Sequence, residues 1–275
     1  EGSLSLPVET AKNSLPGSGG VAVHLDRTLA ANLESIRSYM ADYPFGCLEQ
    51  SVSRAIALRD SSRWKKILDN LSSYIDTNGL LKYFPEALSG SDVLSSYFLS
   101  IASEAGFEIP ERHLRQIISG LQGFVNGTIS QSGFSFPGAD VGIRKLAAME
   151  AISRYHAFDP KQLALIRVEP ELWPVRAVLD WRSLLLREQR IPDRTKRLAE
   201  VEQILRARLE WRGTVVGFKG ASRFWWLMNS PDEDVNRLLL GIADDRAWKD
   251  EIGRLVRGAL ARLREGHWDL TTANA

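Results

Sequence analysis

From Thr28 onward the apolar positions recur every three to four residues, the period of helices that bury one face, and two-residue alternation is lost. That period predicts helices over residues 28–43, 47–59, 63–76, 92–105, 111–125, 141–156, 175–189, 195–211, 223–228, 233–242 and 247–264. Boundary residues agree with several of these. Ser91 stands where an N-cap hydroxyl belongs, ahead of an apolar face opened by Leu94. Pro110 suits a first helical position before Glu111, and Gly106 suits a left-handed C-terminal position. Residues 1–25 read differently: EGSLSLPVETAKNSLPGSGGVAVHL alternates apolar and polar residues and carries Gly and Pro, which predicts extended chain or one or two short strands. This segment is expected to be a linker or strand of an adjoining domain, and residues 26–275 a single helical domain. No strand is predicted after residue 26, so the fold class is all-α.

A weak repeat runs through the helical part. A glycine followed by bulky aromatics recurs between helices, as Gly79-Leu80-Leu81-Lys82-Tyr83-Phe84-Pro85 and Gly133-Phe134-Ser135-Phe136-Pro137, with echoes from Gly213 to Phe218 and at Gly266-His267-Trp268. Loops repeated between helix pairs suggest stacked helical hairpins, which close into an α/α toroid. The same residues serve equally well as plain helix terminators, and the repeat by itself does not separate the two readings.

Composition narrows the function. Of 275 residues 44% are hydrophobic, enough for a large core and against wholesale disorder, and eight Trp supply anchors for cores and interfaces. With 35 Lys+Arg against 34 Asp+Glu, there is no electrostatic footprint for nucleic acid or an anionic membrane. No apolar run approaches the roughly 20 residues of a membrane-spanning helix. The single cysteine excludes an internal disulfide. The chain opens at Glu1 without a signal peptide, and the expectation is a piece of a longer protein.

The chemistry concentrates in Asp42-Tyr43-Pro44-Phe45-Gly46-Cys47-Leu48-Glu49-Gln50. Pro44 and Gly46 break the first helix, so Cys47 opens the next. At a helix N-terminus the macrodipole and free N–H groups favour thiolate over thiol and stabilise an oxyanion at a neighbouring carbonyl. Gln50, three residues on, shares the same helical face. A thiolate beside a glutamine carboxamide can displace ammonia and form a thioester, an activated acyl group that needs a dry pocket. Tyr43 and Phe45 are expected to wall that pocket, and Glu49 to face solvent. Taken alone, one cysteine in a helical protein is ordinarily a small buried hydrophobe. Its neighbours set this one apart.

Pro44-Phe45-Gly46-Cys47-Leu48-Glu49-Gln50 resembles the thioester motif of alpha-2-macroglobulins and complement proteins, Pro-Tyr-Gly-Cys-Gly-Glu-Gln, with Phe45 for Tyr and Leu48 for Gly. The Cys-Leu-Glu-Gln form looks like the bacterial branch. Ser91-Asp92-Val93-Leu94-Ser95-Ser96-Tyr97, the stretch from Ala139 to Ala148, Trp225-Trp226-Leu227-Met228 and the stretch from Gly266 to Ala275 are similar to bacterial members too, so the resemblance covers roughly residues 27–275. It implies an α/α toroid inserted between strands of a β-sandwich domain, which residues 1–25 would join. It implies a Cys47–Gln50 thioester in a pocket contributed by Tyr43, Pro44, Phe45, Gly46, Leu48 and Glu49. Proteolysis of a bait region elsewhere would expose the thioester to a lysine of the attacking protease. Cys47 would leave as thiol and the Gln50 carbonyl would become the covalent link. This is single-use capture rather than enzymatic turnover, and it needs no cofactor. The implied partners are target proteases and the other domains of the same protein. The implied place is the periplasm, with any lipid anchor to the inner membrane outside this chain. The chain stops at Ala275, inside what resembles the start of the family's last helices, so the expectation is either an incomplete toroid or one whose end is unobserved. Some complement members use a histidine across the site to reach hydroxyls. None stands in the comparable stretch 131–145, which favours amine acceptors.

Other readings stand beside this one. Of His24, His113, His156 and His267, only His267 is a candidate base, because it lies in a Gly–aromatic loop. No His or carboxylate pair has metal-ligand spacing. Asp232-Glu233-Asp234 and Asp244-Asp245 read as helix starts and turns, and the Arg-rich stretch from Arg187 to Arg212 as a solvated helical hairpin. The competing classes are a toroid enzyme acting on a glycan or isoprenoid through central carboxylates, and an interaction module with an inactive thioester.

Overall fold

A computed structural model of the chain describes residues 32–131, 137–220 and 225–275. The expected strands of residues 1–25, His24, the start of the first helix, the second Gly–aromatic loop at 133–136 and the opening of the 223–228 helix lie outside the described residues. The described helices are α1 (Asn32–Asp42), α2 (Leu48–Ala57), α3 (Ser61–Tyr74), α4 (Asp92–Ala105), α5 (Glu111–Asn126), α6 (Pro137–Ser153), α7 (Val175–Arg187), α8 (Arg194–Ala207), α9 (Pro231–Ile242), α10 (Lys249–Leu260) and α11 (Thr271–Asn274). Short 3-10 turns at Pro160–Leu165, Trp225–Leu227 and Arg246–Trp248 join them.

Residues 32–275 form one compact unit whose helices close into a ring. On the inside α2 packs on α4, α4 on α6, α6 on α7, α7 on α9, α9 on α11, and α11 back on α2. Outside, α3 leans on α2, α5 on α4 and α6, α8 on α7, and α10 on α9. This is the α/α toroid, and burial follows the layers. Inner α4 buries Asp92, Leu94–Leu99 and Ser100 with Ala102, and inner α7 buries Val175, Ala177–Arg182, Leu184 and Leu185. A helix enclosed on nearly every side needs such a sequence. Outer α5 buries one stripe, Ile117, Gly120, Leu121, Phe124 and Val125, and outer α8 buries only Val201 and Leu205.

The expected caps are present. Ser91 Oγ accepts from Leu94 N–H, and Gly106 ends α4 in the left-handed region at φ 73°. Pro110 differs slightly: it takes the cap position, and the helix starts at Glu111.

One expectation fails. Residues 195–211 are not a single helix: α8 ends at Ala207, and β1 (Leu209–Arg212) pairs antiparallel with β2 (Val215–Phe218), Leu209 opposite Phe218 and Arg212 opposite Val215. The two-residue connection uses Gly213 at φ 60°. What read as an echo of the Gly–aromatic loop is this turn. The hairpin lies flat on α10, where a Cβ at Gly258 would overlap the Val216 carbonyl.

Candidate functional site

The turn from Tyr43 to Cys47 presents the candidate cysteine–glutamine pair. Pro44, Phe45 and Gly46 are exposed, and Cys47 is the buried N-cap of α2, with extended backbone at φ −67°, ψ 169°. Its N–H donates to Gln50 Oε1 at 3.1 Å, while the Gln50 backbone N–H faces the sulfur. This is a capping box in which a thiol replaces the usual hydroxyl. The box brings the Cys47 side chain and the Gln50 carboxamide together at the first turn. Gln50 Nε2 donates to Tyr43 Oη at 3.4 Å, and Leu48 N–H donates to the Tyr83 carbonyl at 2.9 Å, tying the first Gly–aromatic loop to the start of α2.

Cys47, Glu49 and Gln50 share one wall of a cavity of about 610 Å³. The loop before α4 adds Tyr83, Gly90 and Ser91, α4 adds Asp92 and Val93, α6 adds Asp140 and Arg144, and Trp226–Met228 and Leu270–Thr272 close the rest. Arg144 and Asp92 are a buried ion pair, with Arg144 Nε on Asp92 Oδ2 at 2.8 Å. Trp226 Nε1 donates to Asp140 Oδ2 at 3.3 Å.

Several expectations need correction. Glu49 does not face solvent: it is 9% exposed, and its Oε1 accepts from Ser53 Oγ and Thr271 Oγ1, both at 2.7 Å. The reason is ring closure, since α11 lands on the face of α2 that an isolated helix would leave open. Phe45 is no cavity wall; at 63% exposed it stacks its edge against Tyr43 outside. Pro44 and Gly46 stay with it in the turn. Leu48 points into the core and toward Ser51, Arg54 and Ile67, away from the cavity. Tyr43 touches Gln50 without lining the cavity. His267 is not at the cavity: its ring stacks on Tyr39 with centroids 3.6 Å apart, and Nδ1 lies 2.8 Å from the Trp268 carbonyl.

The electrostatics correct a further point. Burial pushes the Cys47 thiol up, and the Glu49 charge adds to this, against the N–H groups of Gln50 and Glu49 that favour thiolate. The helix-terminus effect is present but desolvation outweighs it. Burial likewise raises Glu49, against the hydrogen bonds of Ser53 and Thr271, and carries Tyr83 up to about 12. Burial works against the Arg144 charge, yet Asp92 holds its pKa raised.

Sequence reasoning did not assign roles to Tyr83, Asp92, Asp140, Arg144, Trp226 or Thr271. All but Tyr83 stand in the segments quoted above for their family likeness, so resemblance marked the places and only the ring explains them. Four buried carboxylates of the inner helices are held by cations: Glu150 by Arg154, Asp180 by Arg176 and Arg237, Glu233 by Arg176 and Asp232 by Arg262. Asp232, Glu233 and Asp234 do open a helix, as expected, and all three are buried.

Fold and site together define a helical-ring domain with a cysteine–glutamine pair on the wall of a central cavity. Solved structures sharing this fold are bacterial alpha-2-macroglobulins. The Escherichia coli protein spanning domain MG7 to the C-terminus matches with a TM-score of 0.61 and 17% identity, over 88% of this chain and 40% of that one. The Salmonella protein reacted with methylamine matches at 0.62 and 16%, over 88% and 17%. The Escherichia coli protein activated by porcine elastase matches at 0.55 and 17%, over 84% and 22%. At these identities the likeness is one of fold, and the chain spans well under half of each of those proteins. No family model matches the chain, and no curated protein matches it.

Proposed function

We propose that the chain is the thioester-bearing domain of an alpha-2-macroglobulin-like protease trap, with Cys47 and Gln50 as the cross-linked pair. The observation that carries this reading is the capping box, which holds the Gln50 carboxamide against Cys47 on the wall of a cavity. The fold shared with alpha-2-macroglobulins reacted with methylamine and activated by elastase supports it. In this reading cleavage of a bait region elsewhere opens the cavity and a protease lysine attacks the Gln50 acyl carbon. An amide forms, the carbon–sulfur bond breaks, and Cys47 leaves as thiol. The trap is spent in one event, so it is not an enzyme. Residues 1–25 join a neighbouring β-sandwich domain, and the whole protein works in the periplasm, anchored through a region outside this chain. The ion pairs that hold Glu150, Asp180 and Glu233 argue against a glycan or isoprenoid enzyme working through those carboxylates.

Intact mass before and after methylamine and an alkylating reagent tests the chemistry. A formed thioester makes the chain lighter by one ammonia and blocks alkylation of its only thiol, and methylamine then labels Gln50 and releases Cys47. Full mass and immediate alkylation, in this chain and in the longest natural protein containing it, would sink the covalent trap and leave the inactive-module reading.

A further inference from the structure

Glu49 lies between the reactive pair in sequence, and the ring turns it into the same cavity. Its hydrogen bonds from Ser53 and from Thr271 both fall on Oε1, so Oε2 takes no part in them, and Glu49 lines the cavity together with Cys47 and Gln50. Ser53 Oγ is itself 2.7 Å from Tyr97 Oη, so α2 and α11 hold the carboxyl directly and α4 supports it through Ser53. Histidine, the usual proton carrier, is absent from the described residues lining this cavity.

Acyl transfer to an amine must move one proton. The attacking nitrogen starts with two hydrogens and keeps one in the amide. The departing sulfur, in a buried setting that disfavours thiolate, needs a proton to leave well. We propose that Glu49 carries that proton: its carboxylate takes it from the amine attacking the Gln50 acyl carbon and delivers it to the Cys47 sulfur. The nitrogen–carbon bond forms, the carbon–sulfur bond breaks, and Glu49 ends as it began, a carboxylate. The thioester and amine become amide and thiol with no other reactant. This inference rests on the thioester reading above and adds to it the group that handles the proton.

The charges facing Glu49 are of both signs. Cys47 and Tyr43 flank it near its own helix, Tyr83 faces it from the loop, and Tyr97 and Asp92 from α4. Arg144 and Asp140 stand across the cavity on α6, Glu233 lies beyond Tyr97 on α9, and α11 offers the hydroxyls of Thr271 and Thr272. Burial raises the Glu49 carboxyl, and the Thr271 hydrogen bond opposes that rise.

The test is the rate of methylamine labelling at Gln50 between about pH 5 and pH 9, expressed per unprotonated amine, in the unsubstituted chain, Glu49→Gln, Glu49→Asp and Thr271→Val. Absence of the ammonia deficit in the unsubstituted chain defeats the thioester reading and this inference with it. With the deficit present, Glu49→Gln is expected to label roughly a hundredfold more slowly and without the acid-side fall in rate, while Glu49→Asp keeps that fall. Thr271→Val should move the fall to higher pH, because it removes a hydrogen bond that favours the ionised carboxyl. Equal rates and equal profiles in Glu49→Gln overturn the proposal. If Glu49→Gln carries no thioester, Thr271→Val decides: a shifted fall supports proton transfer through Glu49, and an unshifted profile overturns it.

Discussion

The two halves of the ring reach the same geometry by different chemistry. From α2 to α5 the core is mostly apolar, with Glu49 and Asp92 as its buried carboxylates: Trp64 stacks on Phe98, and Leu71, Leu80, Leu94, Leu99, Ile117 and Leu121 fill the space. The ion pairs within that half, Arg63–Asp60, Lys65–Asp69 and Arg115–Glu111, lie on its outer helices. From α6 to α10 the inner helices are laced by buried arginines: Arg154 on Glu150 and Glu104, Arg176 on Asp180 and Glu233, Arg182 on Glu202 and Asp245. The more apolar half resists loss of shape, whereas the charged half depends on every partner being present. Buried ions are costly alone and tolerable together, so the second half is the more specific and the more fragile.

The largest effect should come from breaking a buried network. Arg176→Ala strands Glu233 and leaves Asp180 with Arg237 alone, and is expected to cost about 3–5 kcal/mol in chemical denaturation. In the more apolar half Leu99→Ala is expected to cost about 3 kcal/mol by cavity formation, with no dependence on pH; a pH-dependent loss would blur the contrast. Acid sharpens it. Burial works against the Glu150 charge, but Arg154, with Arg237 and Arg187, holds its pKa down at about 2. A carboxyl depressed below its unfolded value stabilises above that value and loses the benefit as pH falls toward 2. The stability gap between the unsubstituted chain and Glu150→Gln should therefore shrink from pH 7 to pH 3, and a constant gap would count against the network. Ser91→Ala should cost about 1 kcal/mol through loss of the α4 cap. Lys65→Ala, at an exposed pair, should change stability by under about 0.5 kcal/mol in a thermal melt.

Much of this was legible in the sequence, because helix period and caps are local. Ser91, Gly106 and the Pro44–Gly46 break each act within a few residues of themselves. So does the three-residue step from Cys47 to Gln50. The hairpin at β1 and β2 was not legible, since Leu209–Arg212 continues an apolar helical period until its partner strand is supplied. Glu49 was misread for the same kind of reason: its burial depends on Thr271, 222 residues away. The Phe45 reading failed because a bulky side chain beside a reactive residue was given the role of wall when the turn carries it outward. In the residue pattern the helical ring was visible only as a faint repeat, one of whose echoes proved to be a β-turn, and the family resemblance carried the toroid expectation.

The cavity wall offers a last consequence. Its cation is Arg144, clamped by Asp92, and none of the described residues lining it is lysine. A guanidinium stays protonated at neutral pH and makes a poor nucleophile, whereas a lysine amine in that place would be an acceptor already within the chamber. Lys82, next in sequence to the lining residue Tyr83, is turned away onto the Pro85 carbonyl. Under the thioester reading proposed above, an acylating group stored here would sit beside a positive charge without being consumed by its own host, and its shelf life would be set by water and by visitors.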